Sequence, residues 1–121
     1  MERIQIIQEN NKWCFKIFPS NSNAQPLGIS NYFNEESLCY VACNEFMDFV
    51  TKNKIDSSDS QYVKIFNDGS YNIIDNDNNI LFKSVLNHAP TEEYNLKKEF
   101  DTTINSIYNN IIKYKNKIWG Y

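Results

Sequence analysis

The feature that most constrains the fold of this chain is an order of elements that occurs twice. Between Pro26 and Val50, a short apolar stretch, a polar turn and an amphipathic helix follow one another. The same order returns between Ile80 and Tyr108. Because segments that share a pattern of apolar and turn residues are expected to fold alike, the repetition predicts a chain built from two similar units.

Three short strands are predicted in the first unit. Apolar residues alternate with polar ones over residues 3–8 and 13–18, and Leu27 with Ile29 gives the third strand. The intervening residues 9–12 contain two asparagines, which tolerate the positive φ angles of a tight hairpin. This half of the chain therefore starts as a small antiparallel sheet.

The helix that follows has start and stop signals as well as an apolar face. We expect Asn34 to be its N-cap, Glu35 and Glu36 to lie at the positive end of its dipole, and Lys52 and Lys54 to lie near its other end. Its apolar positions, at helical spacing, are Leu38, Ala42, Phe46, Phe49 and Val50.

After a polar link at residues 55–60, the pattern of the second unit predicts strands at residues 62–66, 71–74 and 80–84. The sequence Asn-Asp-Gly-Ser at residues 67–70 is typical of a hairpin. A last helix is expected to open at Pro90 or Thr91, with Glu92 and Glu93 in its first turn. Its apolar stripe consists of Leu96, Phe100, Ile104, Ile107, Ile111, Tyr114 and Ile118.

The two units can be aligned on their apolar positions. Trp13-x-Phe15 matches Tyr71-x-Ile73, Leu27-x-x-Ser30 matches Leu81-x-x-Ser84, and the helices match from Leu38 and Leu96. We therefore predict an α+β fold of two β-β-β-α repeats, residues 1–55 and 61–121, with antiparallel strands packed by two helices as one compact unit.

The last helix is long for so small a domain. Residues 92–118 would span about 40 Å as a helix, against a radius of gyration of about 14 Å for a compact chain of this size. It is expected either to break or to project. Its apolar face is also wide, which fits either a well-buried helix or an interface with a second subunit or another protein. The candidate interface residues are Tyr108, Ile111, Ile112, Tyr114, Ile118 and Trp119.

Each half resembles the YegP-like domain, a small β-β-β-α module of unknown function that often occurs in tandem. The resemblance rests on Trp13-x-Phe15, Leu27-x-x-Ser30 and Phe33 in the first half, and on Tyr71-x-Ile73 and the run from Asn78 to Ser84 in the second. The glycine of the family's turn is absent in both halves, where Gln25 and Asn79 stand instead. The resemblance implies the fold and brings no catalytic residues.

Charge and composition set limits on the partners. The net charge is −3 and the pI about 5.1, whereas proteins that bind nucleic acid through phosphates usually carry a basic patch. The alternative of an RNA- or single-strand-binding module rests on the lysines of the last helix, interleaved with Tyr108 and Tyr114. These lysines are Lys97, Lys98, Lys113, Lys115 and Lys117. They are also what the solvated face of an amphipathic helix contains.

No apolar run approaches the length of a membrane span, and the first residues lack the apolar segment of a secretory signal. The three cysteines, Cys14, Cys39 and Cys43, are an odd number. These features predict a cytoplasmic, reducing setting without a membrane partner.

Metal and catalytic chemistry find little support in the sequence. Cys39 and Cys43 are spaced for one helix face, and with Cys14 and the single histidine, His88, they compose a possible zinc set; buried, inert thiols are the simpler interpretation. The run from Asp75 to Asn79 begins like an EF-hand loop but lacks its glycine and its final glutamate. We predict no cofactor, no metal and no enzyme.

The sequence thus predicts a non-catalytic small binding protein that acts through surface contact with another macromolecule, most simply a protein. A homodimer is expected. A small chain without a catalytic constellation also fits a phage-type inhibitor of a host defence protein.

Overall fold

The computed structural model describes residues 4–18, 25–66, 70–85 and 93–119, with the side chains of residues 101–115 in the last helix. The α+β class predicted from the sequence is confirmed, as one six-stranded antiparallel sheet and two helices. The elements are β1 (Ile4–Glu9), β2 (Lys12–Ile17), β3 (Gly28–Ile29), α1 (Glu36–Lys52), β4 (Val63–Ile65), β5 (Tyr71–Ile74), β6 (Ile80–Ser84) and α2 (Glu93–Trp119). The finer prediction, two β-β-β-α repeats at residues 1–55 and 61–121, stays a prediction.

Two turns take the form expected of asparagine-rich hairpins. Asn10 and Asn11 join β1 to β2 with φ angles of 51° and 65°, which a two-residue hairpin turn requires. Between β5 and β6, Asn78 has a φ of 65° and donates its backbone N–H to the carbonyl of Asp75. Of the predicted hairpin at residues 67–70, residues 67–69 lie outside the described part of the chain.

The strand order is β1-β2-β3-β6-β5-β4, so the sheet is joined at its centre by β3 and β6. There Ile29 pairs with Lys83 and Gly28 with Ser84. A Cβ atom on Gly28 would lie 2.3 Å from Cε2 of Phe82 and 2.6 Å from the carbonyl oxygen of Lys83. Because both distances are far below van der Waals contact, a side chain at this position would force the ring of Phe82 and the strand of Lys83 to shift.

One hydrophobic cluster contains side chains from strands of both halves of the sheet and from both helices. At its centre the ring of Phe46, on α1, lies 5.5 Å from that of Phe15 and 5.1 Å from that of Phe82. These rings bring β2 and β6 under the same helix. Burial of this apolar surface is the main force that holds the two halves together.

The start of α1 differs from the prediction. The helix begins at Glu36, and Glu35 occupies the N-cap position with extended backbone and no side-chain capping bond. The prediction that Asn34 caps the helix is therefore wrong. Phe33 exchanges two backbone hydrogen bonds with Trp13, and this extra pairing keeps the chain extended beyond β3, so that the helix begins later.

The buried side of α1 also differs in part from the predicted stripe. It consists of Cys39, Cys43, Phe46, Met47 and Val50. Phe46 and Val50 are buried as expected, whereas Leu38 is 51% exposed and Ala42 and Phe49 are half-buried. The predicted stripe has the correct helical period, but it is rotated about the helix axis from the observed buried side. That side includes Cys39, Cys43 and Met47, which the predicted stripe omitted.

α2 is one continuous helix from Glu93 to Trp119, which corresponds to about 40 Å. Of the two expected alternatives, a break or a projecting part, the break is therefore excluded within Glu93–Trp119. The predicted start of the helix at Pro90 or Thr91 lies outside the described residues. Ile104, Ile107 and Ile111 enter the core.

The link at residues 55–60 is mostly polar in composition, but it is held against the core and against α2. Ile55 is buried in the core. Ser58 donates both its backbone N–H and its hydroxyl to the carboxylate of Asp101, and Asn105 donates to the carbonyl of Asp56. The link therefore lies along α2.

In the part of the chain that the structure describes, neither helix has an apolar stretch long enough to cross a membrane.

Candidate functional site

The interface predicted on α2 is largely occupied by contacts within the chain. Ile111 is fully buried, and Tyr108 and Tyr114 are partly buried against the core. Ile112 is half-buried. The helix includes Ile118 and Trp119, but their side chains are outside the described set. Ile111 therefore belongs to the core of this chain, and an interface formed by the other residues stays a prediction.

The lysines of α2 that the structure describes divide into two kinds. Lys115 forms an ion pair with Asp48 at 2.8 Å and contacts the hydroxyl of Thr51 at 3.3 Å, which joins α2 to α1. Lys113 is exposed. The side chains of Lys97, Lys98 and Lys117 lie outside the described set, so the basic face proposed for RNA is represented here by one exposed lysine.

All three cysteines are free and buried. Burial raises the pKa of the Cys39 thiol to about 11 and that of the Cys43 thiol to about 12. Thiols with such pKa values are protonated at neutral pH and are poor nucleophiles and poor metal ligands. No group of three histidine, cysteine or acidic side chains able to hold a metal occurs among the described residues; His88 lies outside them.

The acidic loop between β5 and β6 is a hairpin turn. Oδ1 of Asp75 accepts the backbone N–H groups of Asp77 and Asn79, at 2.8 and 2.9 Å. These bonds, above all that from Asn79, lower the pKa of the Asp75 carboxyl. The carboxylate thus organises the turn and keeps its negative charge.

A small polar cluster lies on β1 and β2 beside Tyr32. The carboxylate of Glu9 accepts from Lys16 at 3.2 Å, from Tyr32 at 3.3 Å and from the thiol of Cys14 at 3.7 Å. The hydrogen bond from Lys16 lowers the pKa of Glu9. These bonds join β1, β2 and Tyr32, and the lowered pKa makes Glu9 a weak base at neutral pH.

The most exposed apolar surface of α1 is a stripe along one flank. We call it the outer stripe: Leu38, Val41, Ala42, Glu45 and Phe49. At about 100° per residue, these positions fall within roughly a quarter of the helix circumference. Leu38 is 51% and Val41 54% exposed. Neighbouring exposed aliphatic side chains of this kind are a common feature of surfaces that bind other molecules.

A groove of about 370 Å³ lies beside the outer stripe. α1 forms one wall, and the segment after β3 together with the β5–β6 turn forms the other. The described lining residues are Phe15, Asn31, Phe33, Ala42, Glu45, Phe46, Phe49, Asp75, Asn79, Ile80 and Leu81. Its volume is near the lower end of the range of about 300–1,000 Å³ typical of ligand pockets.

The polar groups of the groove are acidic or amide. Asn31 donates to the carbonyl of Ile80 at 2.7 Å, and Asn79 donates to Asp75. The lining contains two carboxylates, Glu45 and Asp75, and no lysine or arginine among the described residues. The groove is therefore apolar at its base and negatively charged at its rim.

Sequence reasoning missed this surface, although a signal was present. The apolar positions of α1 include Cys39, Cys43 and Met47 in addition to those of the predicted stripe, and together they cover about half of the helix circumference. One sheet cannot cover so wide an arc. The width of the apolar arc, which identified α2 as a candidate interface, applies equally to α1.

The free edge of β4 is a second apolar surface. Ile65 and Phe66 are 42% and 45% exposed there. Lys64, between Val63 and Ile65, is also exposed, and a lysine on an edge strand discourages pairing with another sheet. The predicted homodimer stays a prediction.

Comparisons of the chain with protein-family models, with curated proteins and with solved structures found no significant match.

Proposed function

We propose that this chain is a non-catalytic binding protein that acts through surface contact with another protein, with the outer stripe of α1 as its main contact surface. The observation that carries the proposal is the exposure of Leu38 and Val41 next to an open groove. Apolar side chains clustered at this exposure are typical of protein–protein contact surfaces.

The described titratable groups support a non-catalytic role. Cys39 and Cys43 have raised pKa values, the carboxylate of Glu9 is held by its three donors, and Asp75 organises a turn. Each has a structural partner or a buried environment that accounts for it. A catalytic centre instead needs a group with a suitable pKa that is free to reach a substrate.

We further propose that the chain consists of two β-β-β-α repeats. Ser30 Oγ accepts the backbone N–H of Phe15, and Ser84 Oγ accepts that of Tyr71, both at 2.9 Å. These bonds align Phe15 with Tyr71. The apolar pattern instead aligned Trp13 with Tyr71, so the two alignments differ by two positions.

The strand registers support the same correspondence. When Ser30 is aligned with Ser84 and Phe15 with Tyr71, the paired strands of the two halves have the same register. The strand pair Ile17–Gly28 then corresponds to Ile73–Phe82, and the strand pair Lys16–Ile29 corresponds to Asn72–Lys83. The outer strands agree, since Ile4 pairs with Ile17 and Val63 with Ile73. At the centre, Ile29 pairs with Lys83, its own counterpart, as a local two-fold axis between β3 and β6 requires.

The resemblance to the YegP-like domain fits this arrangement, and we include in the proposal that each half is a YegP-like module. Free, buried cysteines fit a reducing, cytoplasmic setting. A homodimer and the inhibition of a host defence protein are compatible with an exposed apolar surface on a small chain.

The test begins with affinity purification from the native host and identification of the partner by mass. Binding of the purified partner is then measured for the double variant Leu38→Asp and Val41→Asp. We expect a loss of affinity of at least about tenfold, because two charges would replace apolar contacts. The matched control is Tyr40→Asp: Tyr40 is 49% exposed and lies on the opposite flank of α1.

Equal losses in the double variant and in Tyr40→Asp would contradict the outer stripe as the contact surface. Retention of the protein on RNA or single-stranded DNA that weakens with salt and with Lys113→Glu would favour the nucleic-acid alternative instead. If partner binding is lost only in the double variant Ile112→Asp with Trp119→Ala, the interface lies on α2 instead.

A further inference from the structure

We infer that the groove beside α1 receives a basic segment of the partner protein, in which one apolar side chain enters the groove and flanking lysines or arginines meet the carboxylates at its rim. This inference rests on the proposed function and specifies the chemistry of the partner.

The base of the groove is shaped to hold an apolar side chain. Phe33, Phe46 and Phe49 contribute aromatic surface to the groove, and Ala42 leaves the space between them open. A large side chain at position 42 would occupy that space, so the small size of Ala42 keeps the groove open.

The negative charge of the groove comes from Glu45 and Asp75. Glu45 is exposed on the outer stripe, and its carboxylate has no ion-pair or hydrogen-bond partner among the described residues. Asp75 remains ionised, because the N–H groups of the turn lower its pKa. A cation that approaches this rim gains attraction from both charges and meets aromatic faces below them.

An acidic or neutral occupant is disfavoured by the same geometry. An acidic segment would be repelled by both carboxylates, and a purely apolar one would leave Glu45 desolvated without a partner. The net charge of −3 adds a weak attraction for basic partners over the whole surface. A lysine- or arginine-flanked apolar residue satisfies both parts of the site.

The test uses three short acetylated peptides of one length. Each carries the same central Leu-Phe pair, flanked by lysine in the first, by glutamine in the second and by glutamate in the third. Binding is followed by the movement of backbone amide signals in NMR spectra of the isotope-labelled full chain. We expect the lysine peptide to shift the amides of Ala42, Glu45 and Asn79, and to bind at least about fivefold more tightly than the glutamine peptide, with a preference that weakens in high salt.

Two variants locate the site. Ala42→Phe adds a large ring to the wall of the groove and is expected to abolish binding by filling it. Glu45→Gln keeps the shape and is expected to remove most of the preference for lysine over glutamine. The matched control is Glu36→Gln: Glu36 is exposed, nine positions earlier on α1, and half a turn round the helix from Glu45.

Some results would overturn the inference. These are equal binding of the lysine and glutamine peptides, unchanged binding in Ala42→Phe with the fold intact by circular dichroism, or an equal effect of Glu36→Gln and Glu45→Gln. Should Ala42→Phe fail to fold, Glu45→Gln alone decides. Loss of a homodimer in Glu45→Gln would show that the occupant is a second copy of this chain.

Failure of this inference can be told apart from failure of the proposed function. If Glu45→Gln and Ala42→Phe leave affinity for the purified partner unchanged while Leu38→Asp with Val41→Asp removes it, the outer stripe stands and the groove does not take part. If none of these variants changes partner affinity, both the inference and the proposed contact surface are wrong.

Discussion

The two sides of α1 are both apolar, yet they meet different surroundings. On the inner side, Cys39, Cys43 and Phe46 are at most 3% exposed, whereas Leu38 and Val41 on the outer stripe are more than half exposed. The inner side is covered by the sheet and by α2. Apolar character alone therefore does not identify the core side of a helix. An arc wider than one packing surface leaves a part that is available to a partner.

The largest effect is expected on the inner side. Phe46→Ala should lower the free energy of unfolding by about 3–5 kcal/mol, because Phe46 packs between the rings of Phe15 and Phe82 and its removal leaves a cavity. Urea unfolding followed by circular dichroism measures the change. Phe49→Ala is the comparison: Phe49 is half-buried with an edge contact to Tyr62. A loss for Phe49→Ala as large as that for Phe46→Ala would remove the distinction between the two sides.

A smaller effect is expected where the sheet beneath the inner side is tightest. Gly28→Ala should cost about 1–3 kcal/mol, because its Cβ atom would meet the ring of Phe82 and the carbonyl of Lys83. Chemical denaturation gives the value. Phe82→Leu in the same chain should recover part of the loss, since the ring is one of the two obstacles. If Gly28→Ala were as stable as the natural chain, β3 and β6 would have to move apart without a loss of folding free energy, and the prediction would be wrong.

Alkaline pH provides a test of thiol burial on the inner side. Below pH about 9 the Cys43 thiol is protonated in both folded and unfolded chains, so its contribution is constant. Between the ordinary pKa of 9.0 and the folded value of about 12, the unfolded chain releases this proton while the folded chain keeps it. The free energy of unfolding should therefore fall as the pH rises through this window, by on the order of 1 kcal/mol at pH 10.

Cys43→Ala isolates that contribution. The variant starts from a lower stability, but its stability should decrease less steeply between pH about 9 and 10 than that of the natural chain. Urea midpoints at several pH values measure both slopes. Parallel slopes for the two proteins would show that Cys43 is accessible to water.

The smallest effect on stability is expected on the outer stripe. Leu38→Ser and Val41→Ser should each change the free energy of unfolding by no more than about 0.5 kcal/mol, because their side chains bury little surface within the chain. Thermal and urea unfolding measure this. A loss above about 1 kcal/mol would indicate that these side chains support the fold and would weaken their assignment to a partner.

Much of the fold was predictable because it depends on local patterns. The alternation of Trp13, Phe15 and Ile17 identified β2, and the asparagines at residues 10 and 11 identified its hairpin. The order of all eight elements follows from such signals. What local patterns do not contain is the pairing of β3 with β6, which joins distant parts of the chain through a two-residue strand.

The candidate site was less predictable, because it depends on rotation and on loops. A shift of one position round α1 exchanges Leu38 for Cys39 on the buried side. Because the helix has many apolar residues, its pattern is compatible with either residue facing the core. The extension of the chain past β3, held by Phe33 against Trp13, then set where α1 begins. The groove further requires the β5–β6 turn beside α1, a contact between elements far apart in sequence.

In the proposed two-repeat arrangement, the pairing of β3 with β6 has a further consequence. Strands that face their own counterparts across the centre of a sheet are what a symmetric dimer of a single unit would have at its interface. If the chain arose by fusion of two such units, its assembly would no longer depend on concentration, and the halves could diverge. Gly28 and Phe82 correspond in that arrangement and differ in size, and the ring of Phe82 lies where a side chain on Gly28 would stand.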